Sequence, residues 1–177
     1  SITRAVHLCE STLAFGKAEE PAPQLARVDL DDLVEDVIAA ERLAVGEADV
    51  SFSADIPSGM LVCADGEQLH RVISNMTRNA RQAIIATGQP GEICIGAHDS
   101  EDCHVITITD TGPGLPPKAQ EHLFEAFAGG TTKGGTGLGL SIARELLRGH
   151  GGDLSLGFTG AEGTQFVLTL PLEMPAH

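Results

Sequence analysis

The stretch from Asp110 to Leu140 predicts both the fold and the chemistry of this chain. It begins D-T-G-P-G-L, continues to F-E-A-F at 124–127, and ends G-G-T-T-K-G-G-T-G-L-G-L. An acidic residue closes the β-like run V-I-T-I-T, and the second glycine cluster (134–139) opens into the helical pattern S-I-A-R-E-L-L-R. Glycines ahead of a helix let bare backbone N–H groups approach an anion, where the helix dipole adds positive potential. The stretch therefore predicts a site for a phosphorylated ligand.

The composition fits one globular domain and excludes nucleic acid as a general partner. The chain has 177 residues, of which 42% are hydrophobic, and its formal net charge is −14. Such a surface repels polyanions, and with 3% aromatic residues and neither Trp nor Tyr there is little on which bases could stack. A phosphorylated ligand needs local compensation from helix N-termini, a few basic residues and a divalent cation.

The cysteines and the chain start predict a cytoplasmic fragment. The four cysteines lack CxxC spacing, so reduced thiols are favoured over the alternative of a zinc site around residues 94–104. No apolar run is long enough to cross a membrane. Because the chain begins at Ser1 without an initiator Met, we expect it to be part of a longer protein, which could itself be attached to a membrane.

The first residues predict a helix separate from the main domain. Within 1–20, apolar residues recur at spacings of four, three and four, which is a narrow seam that needs a partner helix. Two interpretations stay open: a helix docked on its own domain, or the end of a dimerising hairpin. The proline-containing segment 21–27 is predicted as a linker, 28–172 as the domain, and 173–177 as a tail.

The main domain is predicted to be α+β, with a mixed sheet covered by helices on one face in two layers. Its patterns give a short strand at Val28–Leu30, a helix, two strands, a long helix, two more strands, a helix and a final strand pair. The long helix starts at Asp65 and carries Asn75 and Asn79 one turn apart at the edge of its apolar stripe. A buried amide needs partners, so these two side chains either satisfy local backbone groups or line a cleft.

Four separated motifs then occur in one order: N-M-T-R-N-A (75–80), D-T-G-P-G-L (110–115), F-E-A-F (124–127) and G-G-T-G-L-G-L (134–140). Together they resemble the N, first glycine, F and second glycine boxes of the ATP-binding domain of sensor histidine kinases. The resemblance covers roughly Val28 to Leu172. It implies the ATPase fold shared with gyrase and chaperones, also called the Bergerat fold, with ATP and Mg²⁺ as its ligands.

The resemblance assigns the adenine end of the site to the first glycine box and the last strand. Asp110 matches the carboxylate that accepts a hydrogen bond from the exocyclic amine, a position that rejects the carbonyl of guanine. Gly112 and Gly114 match the turn on which the purine packs. Thr164 matches a hydroxyl position beside that Asp.

The resemblance assigns the metal to the N box. Asn79 matches the Asn whose side-chain oxygen binds Mg²⁺, a hard cation that prefers oxygen ligands. Asn75 stands where ATP-hydrolysing relatives carry a Glu that activates water, and an amide has no useful basicity. The resemblance therefore implies phosphoryl transfer in place of hydrolysis. Arg78 and Arg81 are predicted to project away from the asparagines, with surface ion pairing as the alternative to a nucleotide contact.

The phosphates are assigned to the second glycine box and the loop before it. Lys133 matches a residue that reaches the terminal phosphate. Phe124 and Phe127 match the F box at the base of this loop. The residues matching the phosphate cradle are Gly135, Thr136, Gly137, Leu138 and Gly139.

The phosphoacceptor motif of these kinases, a helical His followed by an acid, a basic residue and Pro, is missing. His7 lies on a suitable helix but is followed by L-C-E-S-T. We therefore expect the acceptor His on a helix before Ser1, residues 1–20 as the end of a homodimerising hairpin, and a response regulator receiver domain as the next partner. An ATPase or a serine kinase of the same fold, and a non-catalytic scaffold, are the alternative functions.

Overall fold

The computed structural model describes residues 22–121, 123–124 and 139–172. The predicted helix within 1–20 and the tail 173–177 lie outside the described residues. Among the residues described, none of the helices combines the length and apolar character needed to cross a bilayer. The elements in chain order are β1 (Ala26–Asp29), α1 (Leu30–Val45), β2 (Val50–Asp55), β3 (Leu61–Ala64), α2 (Gly66–Thr87), β4 (Gly91–Asp99), β5 (Cys103–Asp110), α3 (Pro117–Glu121), α4 (Gly139–Gly149), β6 (Asp153–Gly160) and β7 (Gly163–Pro171).

The main sheet has five strands in the order β2-β4-β5-β7-β6 and is mixed, as the sequence predicts. β2 and β4 are parallel, because the chain between them passes through β3 and the long helix α2. The other neighbours pair antiparallel, and the register places Asp110 opposite Ile93 on one side and Thr164 on the other. The end of β5 therefore lies in the middle of the sheet's width.

Two strands form a separate ribbon that the sequence did not predict. β1 pairs antiparallel with β3, with Val28 opposite Val62, and neither strand joins the main sheet. β1 also begins at Ala26, two residues inside the segment assigned to the linker, because the backbone there is taken up by this pairing. Leu30 N–H closes the ribbon by donating to Met60 O at 3.0 Å.

The helices lie on one face of the main sheet and bury the core there. Alternate residues of the central strands β5 and β7 are buried, while Thr107 and Val167 on the other face are only half-buried. The period of two thus selects one sheet face for the core. The largest fully buried side chains are Leu30, Leu69, Ile73, Met76, Ile84, Ile93, Ile95, Ile106, Ile108, Leu147, Leu154 and Leu168.

α2 is capped at both ends by residues suited to the task. Asp65 precedes it and accepts hydrogen bonds from the backbone N–H groups of Glu67 and Gln68, both at 3.1 Å. Gly88 ends it with φ +70°, the left-handed conformation that favours glycine. These caps fix the position of the helix that carries both asparagines.

Asp65 also joins three segments of the chain. Its Oδ2 accepts from Gln24 N–H at 2.9 Å, and its own backbone N–H donates to His150 Nε2 at 3.0 Å. The buried His150 donates from Nδ1 to Leu146 O at 2.8 Å, in the last turn of α4. Burial alone would raise the pKa of Asp65, but the backbone hydrogen bonds from Gln24, Gln68 and Glu67 hold it below its ordinary value.

Replacing the cap of α2 tests how much this junction stabilises the domain. Asp65→Ala should lower the free energy of unfolding by about 2 kcal/mol or more, the upper end of the range for a lost cap, because it also removes the bond to Gln24. Asp29→Ala is the matched control: Asp29 caps α1 but accepts from only one backbone group, Asp32 N–H. Urea denaturation of both variants makes the comparison, and equal losses would contradict the junction.

Candidate functional site

Asp110 ends β5 with a buried carboxylate. Its Oδ1 accepts a hydrogen bond from Gly112 N–H at 2.8 Å. Burial raises the pKa of Asp110 above its ordinary value, and hydrogen bonding from the backbone of Gly112 and Thr164 only partly offsets this. A carboxylate offers about four acceptor positions, so this side chain retains capacity for a donor on a ligand.

Three glycines in the turns around the end of β5 leave no room for a side chain, two of them against Asp110 and one against Gly160. A Cβ at Gly112 would lie 2.9 Å from Asp110 Oδ1. A Cβ at Gly114, where φ is +83°, would overlap Gly160 O. A Cβ at Gly163 would overlap Asp110 O, and its φ of +140° also favours glycine. The turn after β5 and the turn before β7 are therefore in backbone contact, which fixes the carboxylate between them.

The C-terminal half of α2 forms the next wall of the site. A Cβ at Gly112 would lie 3.6 Å from Ile84 Cγ1 and 3.8 Å from Ala83 Cβ. Ala83 is exposed, although its place in the apolar stripe predicts burial, because it borders the site and not the core. The glycine turn therefore rests directly on α2.

Asn79 and Asn75 lie one and two turns before Ala83 on nearly the same face of α2. Both are half-buried. With a rise of 1.5 Å per residue, Asn75 lies about 12 Å along the axis from Ala83. The glycine turn and the two asparagines therefore lie along one side of α2, and they define the candidate site; that the asparagines line a cleft stays a prediction.

The two arginines of the N box have different partners. Arg78 donates from Nη2 to Asn75 Oδ1 at 3.2 Å. The prediction that Arg78 projects away from the asparagines is therefore wrong, because side chains three residues apart on a helix are neighbours. Arg81 Nε instead donates to Glu41 Oε2 on α1 at 2.5 Å, in a pair that is only 14% and 11% exposed. Arg81 thus fastens α2 to α1.

The side-chain oxygens of Asn79 and Asn75 could both bind a hard cation, but they differ in whether another residue already occupies them. Within the described part of the chain, the Asn79 side chain has no hydrogen-bond partner, whereas the Asn75 oxygen is engaged by Arg78. Amide oxygens are ligands that Mg²⁺ accepts. Asn79 is therefore the better placed of the two to hold the metal.

Two threonines complete the buried end of the site. Thr164, opposite Asp110 in the register, is only 4% exposed. Its Oγ1 lies 2.9 Å from Thr159 Oγ1, and Thr159 Oγ1 accepts from Leu115 N–H at 2.8 Å. Thr159 was not predicted from the sequence. Its signal was Gly157, since a glycine inside a strand pattern often marks a bulge.

A second residue missed from the sequence is Arg144 on α4. Its guanidinium lies 4.4 Å from the ring centre of Phe124, the first phenylalanine of the F box, and its Nε donates to Asp153 Oδ1 at 3.1 Å. Burial alone would raise the pKa of Asp153, but Leu154 N–H, Arg144 and Arg148 lower it below the ordinary value. The F box is thereby tied to the helix that follows the second glycine cluster.

Several predicted phosphate-binding residues cannot be placed. Gly139 begins α4, as the resemblance implies. The others lie outside the described residues, as does Phe127: they are Lys133, Gly135, Thr136, Gly137 and Leu138.

Comparison with known proteins identifies the family of the chain. The family model for histidine kinase-, DNA gyrase B- and HSP90-like ATPases matches residues 64–174, more than half of the chain. The sensor histidine kinase RppB of Synechocystis sp. is 36% identical over 149 residues, covering 81% of this chain and 32% of RppB. The chain thus spans about a third of that relative.

Two solved structures share the fold. Full-length ShkA in complex with AMPPNP has a TM-score of 0.79 at 25% identity, covering 98% of this chain and 37% of ShkA. The catalytic domain of histidine kinase ThkA has a TM-score of 0.73 at 27% identity, covering 84% of this chain and 96% of that domain. The chain belongs to the histidine kinase-, DNA gyrase B- and HSP90-like ATPase family, and within it corresponds to the catalytic ATP-binding domain of sensor histidine kinases.

Proposed function

We propose that this domain binds ATP with Mg²⁺ and donates the γ-phosphoryl group to a histidine of its full-length protein, for relay to an aspartate of a response regulator. One observation supports transfer over hydrolysis. Asn75 stands at the position of the water-activating acid, and its Oδ1 already accepts from Arg78. An amide so engaged cannot act as a general base.

The buried end of the site suits adenine. The carboxylate of Asp110 accepts a hydrogen bond from an exocyclic amine, whereas a carbonyl at the same place would set two acceptors against each other. Burial makes this discrimination strong, because a buried acceptor without a donor loses its hydration without compensation. Gly112 leaves the turn bare, so a flat base can approach the backbone beside Ala83.

The other end suits phosphates and the metal. Asn79 is the residue proposed to hold Mg²⁺, which would neutralise charge on the phosphates. Asn75 lines the same end of α2 and, with Lys133 and the second glycine cluster, is proposed to contact the phosphates. In a chain of net charge −14, a polyphosphate needs such local compensation.

The proposed macromolecular partners follow from the same activity. Of the seven histidines, none is followed by the acid-basic-Pro pattern of the phosphoacceptor motif. We place the acceptor on a helix elsewhere in the full-length protein, with residues 1–20 as part of the homodimerising hairpin and a receiver domain as the next partner.

Calorimetry and a turnover assay on the chain itself test this function. We expect ATP to bind in the presence of Mg²⁺ with no multiple turnover, and the full-length protein to gain an acid-labile phosphoryl group from ATP. Multiple turnover would indicate an ATPase of the same fold. Absence of ATP binding would indicate a non-catalytic scaffold.

Asp110→Asn should abolish ATP binding while leaving the fold intact. The asparagine oxygen can still accept from Gly112 N–H, which turns its NH₂ group toward the adenine amine and sets donor against donor. Calorimetry should show a loss of at least roughly a hundredfold in affinity, as for a site with an unpaired polar group. Asp102→Asn, at an exposed turn, is the control, and retained ATP affinity in Asp110→Asn would refute the adenine assignment.

Asn79→Ala should remove the part of ATP affinity that depends on Mg²⁺. The substitution deletes an oxygen ligand without disturbing a hydrogen bond to a described residue, so the fold should persist. Titrations with ATP in Mg²⁺ and in excess chelator measure the difference. Ser74→Ala, on the α1-facing side of α2 where it contacts His70, is the matched control; an unchanged Mg²⁺ effect in Asn79→Ala would contradict the metal assignment.

The raised pKa of Asp110 predicts a stability cost that depends on pH. Because the folded-state pKa lies above the ordinary 3.8, the ionised carboxylate destabilises the fold at neutral pH, and this cost fades as pH falls toward 3.8. Asp110→Asn should therefore raise the free energy of unfolding near neutral pH, with a smaller gain in mild acid. Denaturant titrations at both pH values measure it, and a gain that grows on acidification would have the wrong sign.

A further inference from the structure

Three side chains form a row across the end of the main sheet. In the register Asp110 of β5 lies opposite Thr164 of β7, and Thr164 lies opposite Thr159 of β6. Directly opposed residues of antiparallel strands point to the same face. The carboxylate and the two hydroxyl groups therefore stand side by side on the face that α2 covers.

A bulge in β6 places Thr159 in this row. The register shifts between Leu156, opposite Phe166, and Phe158, opposite Gln165, so Gly157 is an extra residue. In a regular register, with Gly157 opposite Gln165, Phe158 would lie opposite Thr164 and fill the site with an aromatic ring. With the bulge, Phe158 turns to the other face, where it is 48% exposed, and the Thr159 hydroxyl group lies beside Thr164.

The hydrogens of this row can be assigned by counting donors and acceptors. Thr159 Oγ1 accepts from Leu115 N–H at 2.8 Å and lies 2.9 Å from Thr164 Oγ1. A hydroxyl carries one hydrogen, and among the described residues Thr164 is the one partner available to receive that of Thr159. Donation from Thr159 to Thr164 gives the Thr159 hydrogen an acceptor and leaves the Thr164 hydrogen for a ligand. The reverse direction would leave the Thr159 hydrogen without an acceptor among the described residues, so the first direction is favoured.

The backbone holds this chain of hydrogen bonds in place. Gly114 packs so closely on Gly160 that no Cβ would fit, which keeps the Leu115 N–H aimed at Thr159. The fixed Leu115 N–H orients the Thr159 hydroxyl group, and the Thr159 hydroxyl group in turn orients that of Thr164. The end of the row presents a fixed donor, Thr164, next to a fixed acceptor, Asp110.

We propose that Thr159 is a specificity-determining positioning residue: it fixes the Thr164 hydroxyl as a donor, so that Thr164 and Asp110 together select adenine over bases with a carbonyl at the same position. Adenine offers an amine donor flanked by ring-nitrogen acceptors, and the pair matches that pattern directly or through one water. Guanine and hypoxanthine offer a carbonyl acceptor beside an N1–H donor, the reverse pattern. This inference rests on the proposed function, since it concerns the same nucleotide.

The test compares ATP with inosine 5′-triphosphate, which carries the carbonyl and the N1–H. In Thr159→Val the Thr164 hydroxyl is free to turn, so the ratio of ATP to inosine triphosphate affinity should fall roughly two- to tenfold, the worth of one neutral hydrogen bond. Thr159→Ser keeps the hydroxyl and should keep the ratio. Thr107→Val, a matched substitution on the opposite face of β5, should also leave it unchanged.

The ratio separates specificity from mere support of the fold. If Thr159→Val weakens both nucleotides equally, or if Thr159→Ser also loses discrimination, Thr159 only holds the turn and the proposal is wrong. In a Thr164→Val background, Thr159→Val should not change the ratio further, and an additional change would also overturn the proposal. Failure of the unsubstituted chain to bind ATP at all would instead overturn the proposed function.

A measurement on the unsubstituted chain covers the case in which Thr159→Val does not fold. ATP analogues lacking one ring acceptor beside the amine, 1-deaza-ATP and 7-deaza-ATP, should differ in affinity, with one of them binding more weakly than ATP. Binding of both analogues as tightly as ATP would show that no donor faces the ring nitrogens, and would overturn the proposal.

Discussion

The candidate site is built around one buried carboxylate, that of Asp110 at the end of β5. Its Oδ1 accepts from Gly112 N–H, a Cβ at Gly112 would lie against that oxygen, and a Cβ at Gly163 would overlap the Asp110 backbone carbonyl. The burial raises its pKa, so the ionised group costs stability in the absence of a ligand. Such a cost at the centre of a well-packed sheet is typical of a site kept for binding and not for folding.

The helix α2 positions the other residues of the candidate site relative to Asp110. Its N-terminus is fixed by Asp65, which also joins the segment before β1 to the end of α4 through Gln24 and His150. Near its C-terminus the helix contacts the glycine turn that follows β5, and earlier turns of the helix carry Asn79 and Asn75. Because the helix is rigid, the separation of these residues along its axis is set by its rise per residue.

Much of this arrangement could be predicted from the sequence. Periodicity predicted the mixed sheet and the helices on one face, which the structure confirms, while the assignment of Asp110, Asn75 and Asn79 from motif order stays a prediction. The direction of the Arg78 side chain was harder to predict, since it turns back to Asn75. The separate pairing of β1 with β3 was not predicted either. The positions of Thr159 and Arg144 could not be predicted, because they depend on a one-residue bulge and on contacts between distant strands and helices.

The most direct measurement of the central claim is a crystal structure of the chain with a non-hydrolysable ATP analogue and Mg²⁺. The account predicts the adenine amine within hydrogen-bonding distance of the Asp110 carboxylate, the phosphates toward the Asn75 end of α2, and the metal on the Asn79 side-chain oxygen. A nucleotide bound in the opposite direction, with its phosphates beside Gly112, would contradict it, as would a base bound away from Asp110.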